Sequence, residues 1–331
     1  MPSARLRLIA GLASATTVIG TILIAGVPSN AEPDIDDVQA KVDRLFHEAE
    51  QATERHHDAQ LRLTDLQADL KDLRTDERAQ AVKVADLQAE VDQSLAAQYE
   101  GQSLSATGRL VLSDDPAAFL SELTALSAYN DFQSRTVDEL EREQQTLELR
   151  REATEERAEE LADVEETLAD EKATADKKLA EAKDLLSDLK AEEAARVAEA
   201  SRSGNSTRMP TDVKATGSAA AVVKFALSQL GDSYVYGAAG PSAWDCSGLT
   251  MMAWAQAGVG LPHSSRAQQG YGTPVSSDNL QPGDLVFYYS PVSHVGIYIG
   301  GGRIVHAANP STGVVISGVF SMPYSGAVRP G

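Results

Sequence analysis

The stretch that decides the fold of the C-terminal part of the chain is His294-Val295-Gly296-Ile297-Tyr298-Ile299-Gly300-Gly301-Gly302-Arg303-Ile304-Val305-His306-Ala307. Val295, Ile297 and Ile299 alternate with His294, Gly296 and Tyr298. That period of two predicts a strand with one set in a core and the other toward a cleft or solvent. The three glycines form a hairpin turn, and Arg303 to Ala307 is the next strand. An earlier strand is expected over Asp284 to Tyr289. Upstream, Ala219 to Leu230 reads as a helix stopped by Gly231, and Trp244-Asp245-Cys246-Ser247-Gly248 leads into an apolar helix, Leu249 to Ala257. Residues 218–331 are therefore expected to form a compact α+β domain.

Within it, the residue types point to nucleophilic chemistry. Cys246 stands where a helix begins, and the electropositive helix N-terminus favours thiolate over thiol and lowers the pKa. A nucleophilic Cys needs a base within hydrogen-bond reach and a third group to orient that base. His294 and His306, on adjacent strands, can both face one cleft. The same local pattern also suits a buried small hydrophobe and satisfied core histidines. His263, in Pro262-His263-Ser264-Ser265, has no strand pattern around it and reads as a surface or pocket-rim residue.

Outward from this domain, Ser201 to Gly217 is rich in Ser, Gly, Asn and Pro and reads as a flexible linker. Before it the texture changes. From Ile35, apolar residues step by three and four through Val38, Val42, Leu45, Ala49, Ala52, Ala59, Leu63, Leu66, Leu70 and Leu73, and resume at Val84, Leu87 and Val91. Leu161, Val164, Leu168, Ala175, Leu179, Ala182, Leu186 and Leu189 repeat the pattern. Sustained heptads with charged flanks predict a coiled coil, here an antiparallel pair of long helices over residues 32–200 with a tip near 101–125. Ser113-Asp114-Asp115 before Pro116 is a helix start. His56 and His57 lie on or beside the seam. They read as register-setting or tolerated polar seam residues, with a metal role as the alternative. The tip carries Leu110-Val111-Leu112 and Phe119-Leu120, which suit either packing within the tip or a partner site.

The formal charge of −20 belongs to the arm. Residues 32–200 hold 44 Asp and Glu against 20 Lys and Arg, while residues 201–331 hold 5 acids and 7 bases. So negative an arm repels a phosphate backbone and excludes nucleic-acid binding. A single cysteine excludes a disulfide scaffold and any thiolate-rich zinc site. At the N-terminus, Arg5 and Arg7, the apolar stretch Leu8 to Gly26 and the small residues Ser29-Asn30-Ala31 have the layout of a secretory signal cleaved after Ala31. An uncleaved anchor helix is the alternative. An exported, extracytoplasmic protein without stable membrane insertion is expected.

Six blocks occur in the order and spacing of the NlpC family of cell-wall peptidases: Tyr234-Val235-Tyr236-Gly237, Trp244 to Leu249, Leu261-Pro262, Gln281 to Phe287, Ser293 to Tyr298, and Val305-His306-Ala307. The C-terminal domain resembles that family over about 110 residues. The resemblance implies a circularly permuted papain-like α+β domain that hydrolyses the γ-D-glutamyl to diamino-acid bond of peptidoglycan stem peptides. It also implies Cys246 as nucleophile, His294 as general base and His306 as the residue that orients it. Tyr234 resembles the family tyrosine near the nucleophile that helps hold the oxyanion, and Asp245 and Ser247 are implied substrate contacts. An N-cap and a turn residue are the plain alternatives for those two. His263 departs from the Arg the family often carries. No cofactor and no metal is implied.

The order of signal, acidic coiled coil, linker and peptidase also resembles exported cell-division hydrolases whose coiled coils engage the extracellular loop of the membrane protein FtsX. The arm is then expected to localise or restrain the enzyme. A catalytically silent wall-binding adaptor, or an amidase or acyltransferase using the same triad, are the competing readings.

Overall fold

The computed structural model describes residues 35–101, 116–188, 191–202, 206–208, 213 and 215–331. The expected export signal (1–31) and the tip residues Leu110, Val111 and Leu112 lie outside these residues. Helix α1 spans Ile35–Gly101 (67 residues) and α2 spans Pro116–Ser187 (72 residues). Each is about 100 Å long at 1.5 Å per residue. Pro116 opens α2, where a missing N–H costs nothing. Ion pairs join Arg55 to Glu171, Arg62 to Glu160, Asp76 to Arg150 and Lys83 to Glu143. One number falls as the other rises, so the helices run antiparallel. Val42 and Leu45 pack with Ala182, and Ala59 and Leu66 pack with Val164, while Ala49, Ala52 and Leu70 are also buried. His56 falls on this seam with Nδ1 3.0 Å from the carbonyl of Leu168. Beyond Leu70, the seam residues Leu73, Val84, Leu87 and Val91 are only half-buried, because, among the described residues, the two paired helices leave each other's flanks open to water. A short helix α3, Ala191–Arg202, follows.

The C-terminal domain begins with α4, Ser218–Ser228. Two short parallel strands follow, β1 (Ser233–Tyr234) and β2 (Ala243–Trp244), then α5 (Cys246–Ala255) and α6 (Ser265–Gln269). Its antiparallel sheet has six strands: β3 (Thr273–Pro274), β4 (Leu285–Tyr288), β5 (His294–Gly300), β6 (Arg303–Asn309), β7 (Gly313–Gly318) and β8 (Tyr324–Arg329), in the order β3-β8-β4-β5-β6-β7. Helices α4 and α5 cover one face, where Val222, Leu249 and Trp254 meet Phe287, Ile297 and Val305. The other face, expected to look onto a cleft or solvent, carries a smaller core of Val286, Tyr288, Ile304, Val319 and Ala327. The segment joining β7 to β8 supplies Val319 and Met322 to it, so much of this face is covered, while His294 lines a cavity as its alternation predicts.

Of the expected linker, 201–217, the described residues are in part held in place. Helix α3 continues to Arg202, and Ser206 exchanges two backbone hydrogen bonds with Ile316, at 2.8 and 2.7 Å, on the free edge of β7. Val213 and Ala215 pack against the main core. The edge strand offers unpaired backbone groups to any extended neighbour, and the two apolar residues gain by leaving water. Neither effect registers in a count of Ser, Gly and Pro.

Candidate active site

Cys246 is the first residue of α5. Asp245 caps the helix, its carboxylate accepting the Gly248 N–H at 2.6 Å from extended backbone. The helix is apolar over most of its surface and sinks into the core, carrying Cys246 to 1% exposure. The thiol meets the sheet where β5 starts: Sγ lies 4.0 Å from the carbonyl oxygen of Ser293. His294 is the first residue of β5 and pairs with Tyr288 across the ladder. Gly296, two residues on and therefore on the same face, leaves room for the neighbouring strand's side chains. A Cβ there would stand 3.2 Å from the His306 Cβ and 2.9 Å from the Ile304 Cδ1. This opening lets the His306 ring reach across to His294.

The structure joins two of the three expected residues directly and holds the Cys246 sulfur within 4.8 Å of a His294 ring nitrogen. His294 Nε2 and His306 Nδ1 are 2.7 Å apart, and His306 Nε2 is 2.7 Å from the Ser317 hydroxyl. Burial, reinforced by the neighbouring His294, holds His306 well below the usual histidine range. It is a neutral ring that can accept on Nδ1 while Nε2–H donates to Ser317.

The remaining nitrogen of His294 does not serve Cys246. Nδ1–H donates to the Oε1 of Glu50, at 2.6 Å, and Glu50 belongs to α1 of the arm. The acidic helix lies across the site. Glu54, one turn further, accepts from the Ser247 hydroxyl at 2.7 Å and faces the Cys246 Sγ at 3.8 Å; its other oxygen takes the Ser265 backbone N–H. Asp58, a further turn along, takes the Ser264 hydroxyl and pairs with Arg266 at 3.1 Å. Tyr234, expected near the nucleophile, is buried there and donates to Glu50 at 3.3 Å, and Tyr236 donates to the Phe46 carbonyl at 2.8 Å. Donor atoms of Glu50, Cys246 and His294 all stand within 4.8 Å of one another. Sequence reasoning missed these carboxylates. The only signal was their spacing: residues 50, 54 and 58 line one stripe of a helix.

The expected lowering of the Cys246 pKa is overturned in this arrangement. Burial first, then the charges of Glu54 and Glu50, push the thiol well above its usual value. The helix N-terminus is outweighed because the thiol is buried and carboxylates stand around the sulfur. For Glu50, burial would raise the pKa, but the charge and hydrogen bond of His294, with His47 behind, hold it at about 2. A carboxylate lowered on docking stabilises the docked chain above its free value of 4.5, and that stabilisation is lost as pH falls through about 2. The parent should therefore exceed Glu50→Gln in thermal stability at neutral pH, by up to about 3 kcal/mol. The gap should close progressively below 4.5. Parallel melting curves from neutral pH down to about 2 check this; a pH-independent gap would contradict it.

Asp245 and Ser247 flank the thiol as the sequence placed them. Asp245 also accepts the Gly237 N–H at 2.9 Å and pairs with His263 at 2.9 Å, so besides capping the helix it ties two loops together. His263 is a rim residue away from the Cys246–His294–His306 line, its side chain 23% exposed. Beside the histidines, a cavity of ≈ 370 Å³ is lined by Tyr234, His294, His306 and Met322 together with Phe46 and Glu50 of the arm.

Comparison with known proteins bears on the C-terminal domain. Residues 231–328 match the NlpC/P60 family. A probable endopeptidase of Corynebacterium glutamicum is 47% identical over 109 residues, which are 33% of this chain and 52% of that one. A probable endopeptidase of Mycobacterium tuberculosis is 52% identical over 94 residues, 28% of this chain and 24% of its own. The chain thus spans about half the length of the first relative and a quarter of the second. Among solved structures, the NlpC/p60 domain of the peptidoglycan hydrolase SagA is 35% identical, with 34% of this chain and 97% of that chain covered and a TM-score of 0.32.

Proposed function

We propose that this chain, whose residues 231–328 match the NlpC/P60 family, is a cysteine endopeptidase of peptidoglycan stem peptides, held in check by its own coiled-coil arm. The observation that carries the first half is the convergence of a helix-start thiol with a histidine that is itself held by a second histidine. Once Glu50 leaves, His294 Nδ1 is free to take the proton of Cys246. The thiolate then attacks the substrate carbonyl, forming a C–S bond. His294 protonates the departing amine as the C–N bond breaks, and a water activated by His294 releases the acid from the thioester. His306 orients His294 through Nε2. The backbone N–H of Cys246 at the helix start, with Tyr234 nearby, is placed to receive the oxyanion. The bond cleaved, on the family resemblance, joins γ-D-glutamate to the diamino acid.

The second half rests on Glu50 and Glu54, which occupy the base and crowd the nucleophile. In the proposed setting the protein is exported and acts at the wall in remodelling and division. The arm's far end would engage the extracellular loop of FtsX; the exposure of Leu120 (62%) and Phe132 (54%) supports a partner there. Purified full chain and a chain starting at Ser206, which keeps its pairing with Ile316, are incubated with an isolated stem peptide and the products weighed by mass spectrometry. Cleavage between D-glutamate and the diamino acid, faster for the shorter chain, is the expected result. No product from either chain refutes the enzyme reading. Products of another bond refute the specificity, and equal rates refute the restraint.

A further inference from the structure

The arm meets the peptidase domain a second time beside the catalytic line, through imidazoles. His57 of α1 stacks on His263, ring centroids 4.1 Å apart and tilted by 34°. Both turn Nε2 toward the buried carboxylate of Asp245: His263 at 2.9 and 3.0 Å from its two oxygens, His57 at 3.8 Å from Oδ2. One donor atom from each of the three lies within 4.8 Å of the others. We propose that His57, Asp245 and His263 bind a divalent transition-metal ion, zinc by preference, that clamps the arm onto the peptidase domain.

The geometry suits such an ion. With metal–ligand bonds of about 2.0–2.1 Å, donors in a tetrahedral site stand about 3.3 Å apart. The observed separations of 2.9 and 3.8 Å fall on either side of that spacing, so small side-chain rotations suffice. Two imidazoles and one carboxylate form a zinc-type donor set. The orienting groups are also present. Glu54 Oε1 lies 3.5 Å from the unpartnered His57 Nδ1, so the small rotation that brings Nε2 to the ion can also close that contact and hold the tautomer with its Nε2 lone pair on the ion. The Gly237 and Gly248 N–H groups fix the Asp245 carboxylate at 2.9 and 2.6 Å. The fourth position opens onto a cavity of ≈ 370 Å³ lined by His56, His57, Gly237 and His263, which admits water and provides an entry path. Because the ligands come from both sides of the contact, the ion binds only the docked arm and shifts the equilibrium toward it by mass action.

The inference rests on the docked arm of the preceding section but is tested by binding and not by hydrolysis. Metal-free full chain, as parent and as Cys246→Ala, is titrated with zinc against a chromophoric chelator. One zinc per chain is expected in both. His57→Ala and His263→Ala, each in the Cys246→Ala chain, should weaken it about tenfold or more. Cobalt(II) in the parent should give the visible bands of a four-coordinate site with no thiolate-to-metal charge-transfer band, a result that needs no histidine variant to fold. Zinc affinity unchanged by both histidine substitutions overturns the site. So does a thiolate band in the parent that vanishes in Cys246→Ala, which would place the ion on the nucleophile. If zinc binds as expected while the full chain hydrolyses stem peptide as fast as the chain starting at Ser206, the clamp stands and the restraint falls.

Discussion

Replacing Glu50 and Glu54 together by alanine is expected to raise both the rate of stem-peptide hydrolysis and the rate of Cys246 alkylation by about a hundredfold or more. Each carboxylate makes a buried, charge-assisted contact with the site: Glu50 with His294 at 2.6 Å, Glu54 with Ser247 at 2.7 Å and with the Ser265 backbone. Such bonds contribute about 1.5–3 kcal/mol apiece. Losing two shifts an arm-on to arm-off equilibrium by at least two powers of ten. Two effects then act in the same direction. His294 recovers a free Nδ1, and the thiol loses two negative neighbours that hold its pKa up. Iodoacetamide labelling followed by mass spectrometry reads the second effect without any substrate. Glu50→Gln alone should give a smaller gain, since the amide still accepts a hydrogen bond but carries no charge. Unchanged labelling of the double variant would sink the idea that these carboxylates restrain the thiol.

Cys246→Ala is expected to abolish hydrolysis, by about 10⁴-fold or more, in the full chain and in the chain starting at Ser206 alike. The loss should fall on kcat and leave binding of the stem peptide near the parent value, because the residues around the thiol stay in place. The fold should tolerate the change. Cys246 is 1% exposed at the start of a helix capped by Asp245, and alanine is a good helix residue of similar bulk. His294→Ala should cost a comparable amount, and combining the two should add little, since nucleophile and base act as a unit. Single-turnover kinetics and a thermal melt of each variant separate chemistry from folding. Retained hydrolysis by Cys246→Ala would exclude thiol catalysis.

Much of this was legible in the sequence because it is local. The alternation at Val295, Ile297 and Ile299 marked β5, the Gly300 to Gly302 turn marked the hairpin, and Asp245 before an apolar run marked a capped helix with Cys246 at its start. The three- and four-residue steps of α1 and α2 marked the paired helices, and Pro116 opens α2 where the start signal placed it. What escaped is long-range. Glu54 and Ser247 are 193 residues apart, and an acidic stripe on a coiled coil ordinarily faces water, so the 50, 54, 58 spacing had two physical readings. The same holds for His57. No second ligand stands near it along the chain, and only the docked arm brings His263 to it. At Ser206 the course of the expected linker is set by the edge of β7, a feature of the finished sheet that composition does not report.

That edge pairing has a consequence for how the arm is released. Helix α3 ends at Arg202, and Ser206 is already fixed to Ile316. The root of the arm can therefore stray no more than about 14 Å from the sheet. Docking is an intramolecular event on a short leash, governed by an effective concentration in the millimolar range and not by the amount of protein present. A detached arm added to the free domain would compete poorly with the covalent one. Under the proposed restraint, an activator has to outbid that local concentration, and the arm is expected to return once the activator leaves.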